Sequence, residues 1–487
     1  MIMPMITMIV AAMFYVSTAG VTANIAVHHI VNAQQVDYLL NTNNEHCFTH
    51  TTREFLLTTF EQGDVWGLCV TEGEQVSRAA TAPSSSLPLL SSSVPVNIMM
   101  DSELVSSAAL DKGLVVQVHA SLSDAAANSS ACLPSEAAQG QCTFRSAVEL
   151  CARQLTAEDR NCTIALPPSD TVLLDAAFGQ MPRVSSGAGS FSVLGKSSSF
   201  SLAENSSGSM QLLHVASGVA GDLRFTMTDC RVSNFGNETL TGGAMYLNGV
   251  VHSRIENCIF SNNTGTLGGA VYFGNSNSNV DIIDCLFDSN HVAYLGGGMY
   301  IGSFNTDFLV QNVSFSKNTA LSGGGLFVNN ENVDFLLLHC LFERNVVMGI
   351  GGGCFLNNDN VGVIVKHCDF TENSAVNYYA GGLYLYSRNQ VELHFVRFIG
   401  NLAMYGGGLN GDSDNDHSLI SNCYFERNEA SFGGALTWYA SHVFLVIQNS
   451  TFHMNHASVS GGAMYFGVNN DDFLLQDLHF SNNTAAV

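Results

Sequence analysis

Hydrophobic and polar residues recur at fixed intervals from about residue 230 to the end of the chain. Each copy contains the motif Phe-x-x-Asn, and successive phenylalanines lie 27 or 28 residues apart. A second mark, Gly-Gly followed in most copies by Gly or Ala, opens a short apolar strand such as residues 245–247 or 271–273. A period of about 20–50 residues is typical of solenoids, in which each copy packs on the next.

Within each copy, apolar and polar residues alternate with a period of two, which predicts β-strands and shows no helical spacing. We predict coils of three short strands and three turns, stacked at about 4.8 Å, so that nine coils form a rod on the order of 45 Å long. Parallel crossovers are nearly always right-handed. The predicted fold class is all-β: a right-handed parallel β-helix solenoid of about 27–28 residues per coil, with a small N-terminal Cys-containing region and a capping helix.

Two columns of residues in the second strand are predicted to face the core. One contains Phe, and the other contains Cys230, Cys258, Cys285, Cys340, Cys368 and Cys423. Val313 and Val396 replace Cys in this column, which favours buried thiols acting as small apolar residues over disulfides between coils. The motif asparagines are predicted to hydrogen-bond buried turn backbone, a structural role. They are Asn263, Asn290, Asn318, Asn345, Asn373, Asn401, Asn428, Asn455 and Asn483.

The Gly-led strand carries two aliphatic columns, so the residue between them is predicted to point outward. This residue is aromatic in most copies and is replaced by Asn410 and Thr437 in two of them. The outward aromatic residues are Tyr246, Tyr272, Tyr300, Phe327, Phe355, Tyr384 and Tyr465. One interpretation is a stacking ladder that stabilises the sheet. The other is an exposed platform that binds a glycan or a partner protein.

The N-terminal half is organised differently. Residues 1–23 resemble a cleaved secretory signal, 24–78 form a small Cys-containing region and 79–140 a Ser/Ala-rich linker. Residues 141–231 are predicted to form a capping helix over 141–154, followed by irregular opening coils. Residues 232–487 are predicted to form the regular repeats, which we expect to be truncated at the C-terminus. Six cysteines allow 15 disulfide connectivities. We predict the pairs Cys47–Cys69, Cys132–Cys142 and Cys151–Cys162.

Charge and hydropathy narrow the choice of partners. The chain has 17 Lys and Arg against 41 Asp and Glu, a net charge of −24, and no basic cluster, so nucleic acid is not an expected partner. After the N-terminus there is no apolar run of about 18 residues, so no transmembrane helix is expected in the mature chain. We expect any cell-surface anchor to lie in missing C-terminal sequence. Eight Asn-x-Ser/Thr triplets favour a secreted or cell-surface glycoprotein.

Phe260-Ser-Asn-Asn263 followed by Gly268-Gly-Ala-Val271 resembles the repeat of the chlamydial polymorphic outer membrane proteins, over roughly residues 230–487. The stretches 142–148 (CTFRSAV) and 162–167 (CTIALP) are similar to the opening of pectin-lyase-like β-helix proteins. The resemblance implies a surface-exposed or secreted adhesin, placed in the outer membrane or cell envelope if the source is bacterial.

Candidate chemistry is confined to one turn. Asp412, Asp414 and Asp416 alternate, so that their carboxylates could converge on Ca²⁺, the single candidate cofactor. However, His417 stands where a calcium loop requires Gly, and no Glu follows at position twelve. Catalysis and a solvated turn are the other interpretations of this segment. Asn-rich turns such as 357–360 are predicted to stack along the same edge and could supply further calcium ligands.

The sequence favours a non-enzymatic adhesion or recognition protein without catalytic residues, binding a cell-surface glycan or protein along the solenoid face. Two alternatives stay open. One is a polysaccharide-active enzyme, namely a lyase, hydrolase or epimerase, which rests on fold analogy alone. The other is a structural coat component.

Overall fold

The computed structural model describes residues 13–18, 21–28, 37–41, 114–118, 132, 142–158, 161–202 and 209–486. The chain divides into two compact units, Met1–Met100 and Asp101–Val487. In the first unit, β1 (Met13–Thr18), β2 (Val21–His28) and β3 (Asp37–Asn41) form an antiparallel sheet in the order β1-β2-β3. The predicted Cys47–Cys69 pair and most of the predicted linker lie outside the described residues.

The second unit begins with irregular strands and one helix. Its first elements are β4 (Leu114–Gln117), α1 (Phe144–Glu158), β5 (Cys162–Ala165), β6 (Thr171–Leu174), β7 (Val184–Leu202) and β8 (Leu213–Ser233). Helix α1 starts three residues later than predicted, and its apolar residues Phe144, Val148 and Leu155 are buried. Two of the predicted disulfides, Cys132–Cys142 and Cys151–Cys162, are confirmed.

Nine regular coils follow, each with four short strands. Coils 1 to 3 contain β9 (Met245–Asn248), β10 (Val251–Glu256), β11 (Ile259–Ser261), β12 (Thr264–Leu267), β13 (Val271–Phe273), β14 (Ser278–Ile283), β15 (Leu286–Asp288), β16 (His291–Leu295), β17 (Met299–Ile301), β18 (Thr306–Gln311), β19 (Ser314–Ser316) and β20 (Thr319–Ala320). Coils 4 to 6 contain β21 (Leu326–Val328), β22 (Val333–Leu338), β23 (Leu341–Glu343), β24 (Val346–Val347), β25 (Cys354–Asn358), β26 (Val363–Lys366), β27 (Asp369–Thr371), β28 (Ser374–Tyr379), β29 (Leu383–Ser387), β30 (Val391–His394), β31 (Arg397–Ile399) and β32 (Leu402–Tyr405). Coils 7 to 9 contain β33 (Leu409–Ser413), β34 (Leu419–Ser421), β35 (Tyr424–Glu426), β36 (Glu429–Phe432), β37 (Leu436–Ala440), β38 (Val446–Gln448), β39 (Thr451–His453), β40 (His456–Ser460), β41 (Met464–Val468), β42 (Leu474–Gln476), β43 (His479–Ser481) and β44 (Thr484–Ala485).

Every strand pairs in parallel with the equivalent strand of the next coil. The first three strands of the coils and the opening strands form one 32-stranded sheet, and the fourth strands form a separate 9-stranded sheet. The predicted parallel β-helix is therefore confirmed, although each coil has four strands instead of three. The predicted second strand is divided in two because the polar residue before Cys adopts a left-handed conformation, as at Asn257 (φ 51°) and Asp284 (φ 53°).

The core consists of ladders of identical residues. The phenylalanines from Phe260 to Phe480 stack with ring centroids 4.6–5.1 Å apart in successive coils. The six cysteines beside them are free and buried, as predicted, and burial raises the pKa of the Cys423 thiol to about 12. Cys354, a seventh free thiol, stands in the Gly-led strand, where other coils carry Met, Val or Leu.

The motif asparagines form a continuous ladder of hydrogen bonds, and eight of the nine, from Asn263 to Asn455, are fully buried. Asn345 shows the pattern. Its Nδ2 donates to the carbonyl of Phe315 and to Oδ1 of Asn373, while its Oδ1 accepts from both nitrogens of Asn318. The column therefore bonds turn backbone in the way that the sequence predicts.

A second buried asparagine ladder runs along the turn between the first and second strands. It contains Asn277, Asn305, Asn332, Asn360, Asn389 and Asn415, each donating from Nδ2 to Oδ1 of the next. The sequence suggests residues in the turns of this edge, such as 357–360, as candidate calcium ligands. Instead, Asn360 Oδ1 accepts from both nitrogens of Asn332.

Candidate functional site

The predicted aromatic ladder is stacked, but most of it is covered. Ring centroids lie 5.0–5.3 Å apart from Tyr246 to Phe327. The prediction of an exposed stripe is wrong for its centre, because Tyr300, Phe327, Phe355 and Tyr384 are buried. A second row of apolar residues packs against them, from the ends of the fourth strands or the turns that follow, and it includes Leu267, Leu295, Ile350 and Tyr379.

The ends of the ladder are half-buried. Tyr246, Tyr272 and Tyr465 keep partial exposure, and His214 stacks on Tyr246 at 4.3 Å. Burial raises the pKa of Tyr300 to about 12, since the phenolate would lose its hydration there. The ladder is therefore a packing element along most of its length.

Two exposed aromatic residues lie two positions beyond the aromatic ladder along the first strands, in coils 6 and 8. Strands β29, β33 and β37 pair in register, so Tyr386, Asp412 and Tyr439 occupy equivalent outward positions on three neighbouring strands. Tyr386 is 41% exposed and Tyr439 38% exposed. Parallel strands are about 4.8 Å apart, so the two tyrosines stand about 10 Å apart with the carboxylate between them.

Asp412 brings together two features that the sequence presented separately. Its Oδ2 accepts a hydrogen bond of 2.8 Å from the hydroxyl of Tyr384, a member of the aromatic ladder. The side chain is half-buried, and burial raises its pKa above the ordinary value, while the bond from Tyr384 acts in the opposite direction. A candidate metal ligand and a candidate stacking residue thus belong to one site.

Five tyrosines surround this carboxylate, and we call them the tyrosine cluster: Tyr379, Tyr384, Tyr386, Tyr405 and Tyr439. Ring centroids of neighbouring members lie 5.1–6.2 Å apart. Burial, together with the negative charge of Asp412, raises the pKa of Tyr379. The sequence did not predict the cluster because Tyr379 and Tyr405 lie on fourth strands, to which no residues were assigned from the sequence.

Beneath the tyrosine cluster the regular ladders are interrupted. Asn410 replaces an aromatic residue between Tyr384 and Thr437, and neither atom of its buried amide has a hydrogen-bond partner among the described residues. Gly411 makes room for the indole of Trp438, since a Cβ at Gly411 would lie 2.7 Å from that ring. The core under Asp412 is therefore built from residues specific to these coils.

The three aspartates do not converge, so the predicted calcium arrangement is wrong. Asp412 accepts from Tyr384, whereas Asp416 Oδ1 accepts from the backbone N–H of Val443. Asp414 lies at a left-handed turn position, with φ 52°. Across the described ranges, no three His, Cys, Asp or Glu side chains are placed to hold a metal ion.

His442 continues the second asparagine ladder next to this site. Its Nδ1 accepts from the N–H of Asn415, so Nε2 carries the proton and donates to the carbonyl of Asp412. Burial lowers the pKa of His442 to about 4, although nearby Asp416 and Asp414 favour the charged form. The ladder therefore holds a neutral imidazole.

We expect His442 to make the fold less stable in acid. Because the folded-state pKa is below the ordinary value of 6.5, the unfolded chain binds the proton first. The free energy of unfolding should fall as pH decreases from about 6.5 to about 4, by on the order of 3 kcal/mol. His442→Asn supplies the residue that this ladder uses elsewhere, and it should flatten that part of the profile in urea unfolding. An unchanged pH profile in the variant would contradict the assignment.

The comparisons with known proteins concern the fold. Residues 215–399 and 297–485 match the family model of the right-handed beta helix region and together span more than half of the 487 residues. The chain belongs to the right-handed beta helix family. No curated protein matches this β-helix chain. None of the helices in the described part of the β-helix chain is long and apolar enough to cross a membrane.

Solved structures similar to this β-helix come from several sources. ORF18 of Geobacillus virus E2 is 11% identical with a TM-score of 0.35, and the match covers 67% of this chain and 53% of that one. The mannuronan C-5 epimerase AlgE6 A-module of Azotobacter vinelandii is 12% identical with a TM-score of 0.32, covering 69% and 94% of the two chains. The Streptococcus pneumoniae surface adhesin PfbA is 11% identical with a TM-score of 0.33, covering 69% and 86%. The β-helix chain thus spans about half the length of the first of these proteins, and the likeness concerns the fold alone.

Proposed function

We propose that this protein is a non-enzymatic recognition module that binds glycans at the tyrosine cluster, outside the cell or on its surface. The observation that carries the proposal is the row Tyr386, Asp412, Tyr439 on three adjacent strands. Ligand sites combine aromatic surface with a few placed polar groups. Here the exposed rings offer flat faces to the apolar side of a sugar, and the carboxylate accepts bonds from its hydroxyls.

The rigidity of the site supports this function. The residues stand on paired strands above a packed core, so little conformational entropy is lost when a ligand binds. A row parallel to the solenoid axis also suits a polymer, because contacts about 10 Å apart can engage two parts of one chain. The two disulfides support the extracellular location, since such bonds persist in oxidising compartments.

The test is affinity electrophoresis of the full chain in gels that contain neutral or acidic polysaccharides, with polymer size measured after incubation. We expect retardation without shortening of the polymer. The double variant Tyr386→Ala, Tyr439→Ala should weaken binding at least about tenfold, because buried aromatic contacts dominate such interfaces.

The matched control is Tyr294→Ala, which removes a tyrosine that is 54% exposed on β16, away from the tyrosine cluster. This variant should bind normally. Shortening of a polymer would instead favour the polysaccharide-active alternative. No retardation by any polysaccharide would refute glycan binding.

A protein partner is the second candidate, favoured by exposed apolar residues on the fourth strands and directly after them. They are Tyr294, Leu321, Met348, Tyr378 and Met404. Contiguous exposed apolar surface commonly marks contact sites. Whole-cell binding that survives the loss of polysaccharide binding in the double tyrosine variant would favour this candidate.

A further inference from the structure

We propose that the site formed by Asp412 and the tyrosine cluster takes the ammonium group of an amino sugar. This inference rests on the proposed function and adds the chemical class of the ligand. It follows from the charge of Asp412, from the rings around it and from the surrounding surface.

Among the residues that the structure describes, the carboxylate of Asp412 has no cationic partner. Its one side-chain bond is with the neutral hydroxyl of Tyr384, and among the described residues no Lys, Arg or His forms an ion pair with it. Arg388, which lies level with Asp414 of the neighbouring coil, is engaged by both carboxylate oxygens of Asp359 at 2.6 and 2.7 Å. A half-buried carboxylate without a counter-charge is only partly hydrated. It therefore interacts more favourably with a cationic ligand than with a neutral one.

The groups around Asp412 favour an organic cation over a metal ion. Hard cations such as Ca²⁺ take about six to eight oxygen ligands, and this site has one carboxylate. Aromatic faces attract ammonium groups through the ring quadrupole when the cation lies within about 6 Å of the centroid. Tyr386 and Tyr439 flank the carboxylate on adjacent strands, and Tyr379 is close enough for the charge of Asp412 to affect its ionisation.

The surrounding charge disfavours anionic glycans. Asp414 lies two residues further along the chain, and the whole protein carries a net charge of −24. A uronate or sulfated polymer would meet like charge at the site, whereas an amine-bearing polymer meets opposite charge both at Asp412 and at long range. Of the glycans that could stack on the tyrosines, an amino sugar complements the site best.

The test compares two ligands that differ in one group: an oligomer of glucosamine with free amines, and the same oligomer fully N-acetylated. Titration calorimetry of the full chain, at a slightly acid pH where the amines are protonated, should give at least tenfold tighter binding of the free amine. The ratio of the two dissociation constants should approach one in Asp412→Asn. Asparagine retains an oxygen that accepts from Tyr384, so the fold should persist in this variant.

Asp307→Asn is the control for charge, since it removes an exposed aspartate on β18. This variant should bind the oligomer with free amines more tightly than the N-acetylated oligomer, as the wild type does. Added salt should also reduce the preference of the wild-type protein, and this measurement does not depend on any variant.

Each other outcome overturns a specific part of the proposal. Equal or tighter binding of the N-acetylated oligomer refutes the ammonium inference and leaves glycan recognition intact. The same holds if another polysaccharide binds and neither oligomer does. Binding of Nα-acetyl-lysine or choline without binding of the glucosamine oligomer would keep the ammonium chemistry but refute an amino sugar as its source.

Discussion

Replacing Asn345 with alanine is expected to lower the free energy of unfolding by about 2–6 kcal/mol. The side chain is fully buried in the middle of the first asparagine ladder. Its loss removes the acceptor of two buried groups of Asn318, namely the backbone N–H and one N–H of Nδ2. Each unsatisfied buried polar group costs about 1–3 kcal/mol, so two such groups account for the range.

Chemical denaturation followed by circular dichroism measures this effect. Asn377→Ala is the matched control, because Asn377 lies in strand β28 but is exposed. Its stability should stay within about 0.5 kcal/mol of the wild type. If the two variants lose similar amounts, the ladder has no special energetic role.

Replacing Gly297 with alanine is expected to cost at least about 3 kcal/mol, at the upper end of the penalties for overpacking. A Cβ at this position would lie 2.2 Å from the carbonyl oxygen of Gly324 in the next coil and 2.8 Å from that of Thr319. Both are backbone atoms, so relief requires the coils to separate. The central residue of the Gly-led segment is glycine in all nine coils for this reason.

The neighbouring residue offers a control within the same segment. Gly298 is followed along its column by glycine or alanine, with alanine at positions 244, 270, 435 and 463. A Cβ at Gly298 would lie 2.7 Å from the carbonyl oxygen of Gly325, and four coils accommodate alanine in this column. Gly298→Ala should therefore cost less stability than Gly297→Ala, in spite of the identical chemical change. Thermal melting of both variants distinguishes them, and equal melting temperatures would contradict the argument from close backbone approach.

Residues that repeat along the axis could be assigned from the sequence. The phenylalanine, cysteine and asparagine columns follow from the repeat because each residue meets its own equivalent in the next coil. The disulfides Cys132–Cys142 and Cys151–Cys162 were predictable because their partners lie close in the chain. The fold and much of its core could therefore be predicted from the sequence.

Contacts between strands that follow one another along the chain could not be predicted from the sequence. Tyr384 was correctly placed on the outer face of its strand, but the sequence did not show that Tyr379, from the preceding strand, folds over that face. The role of Asp412 likewise depends on Tyr386 and Tyr439, one coil away on either side. A repeat predicts what lies above and below a residue better than what lies beside it.

The two asparagine ladders also bear on how such a protein changes over generations. In both ladders, coils 2 to 5 present the same donors on one side and the same acceptors on the other, so one of these coils can follow another. Duplication or deletion of a whole coil within the gene would therefore preserve the bonding between its new neighbours. The rod would lengthen or shorten in steps of about 4.8 Å. Populations could thus vary how far the tyrosine cluster stands from the N-terminal helix while leaving the cluster itself unchanged.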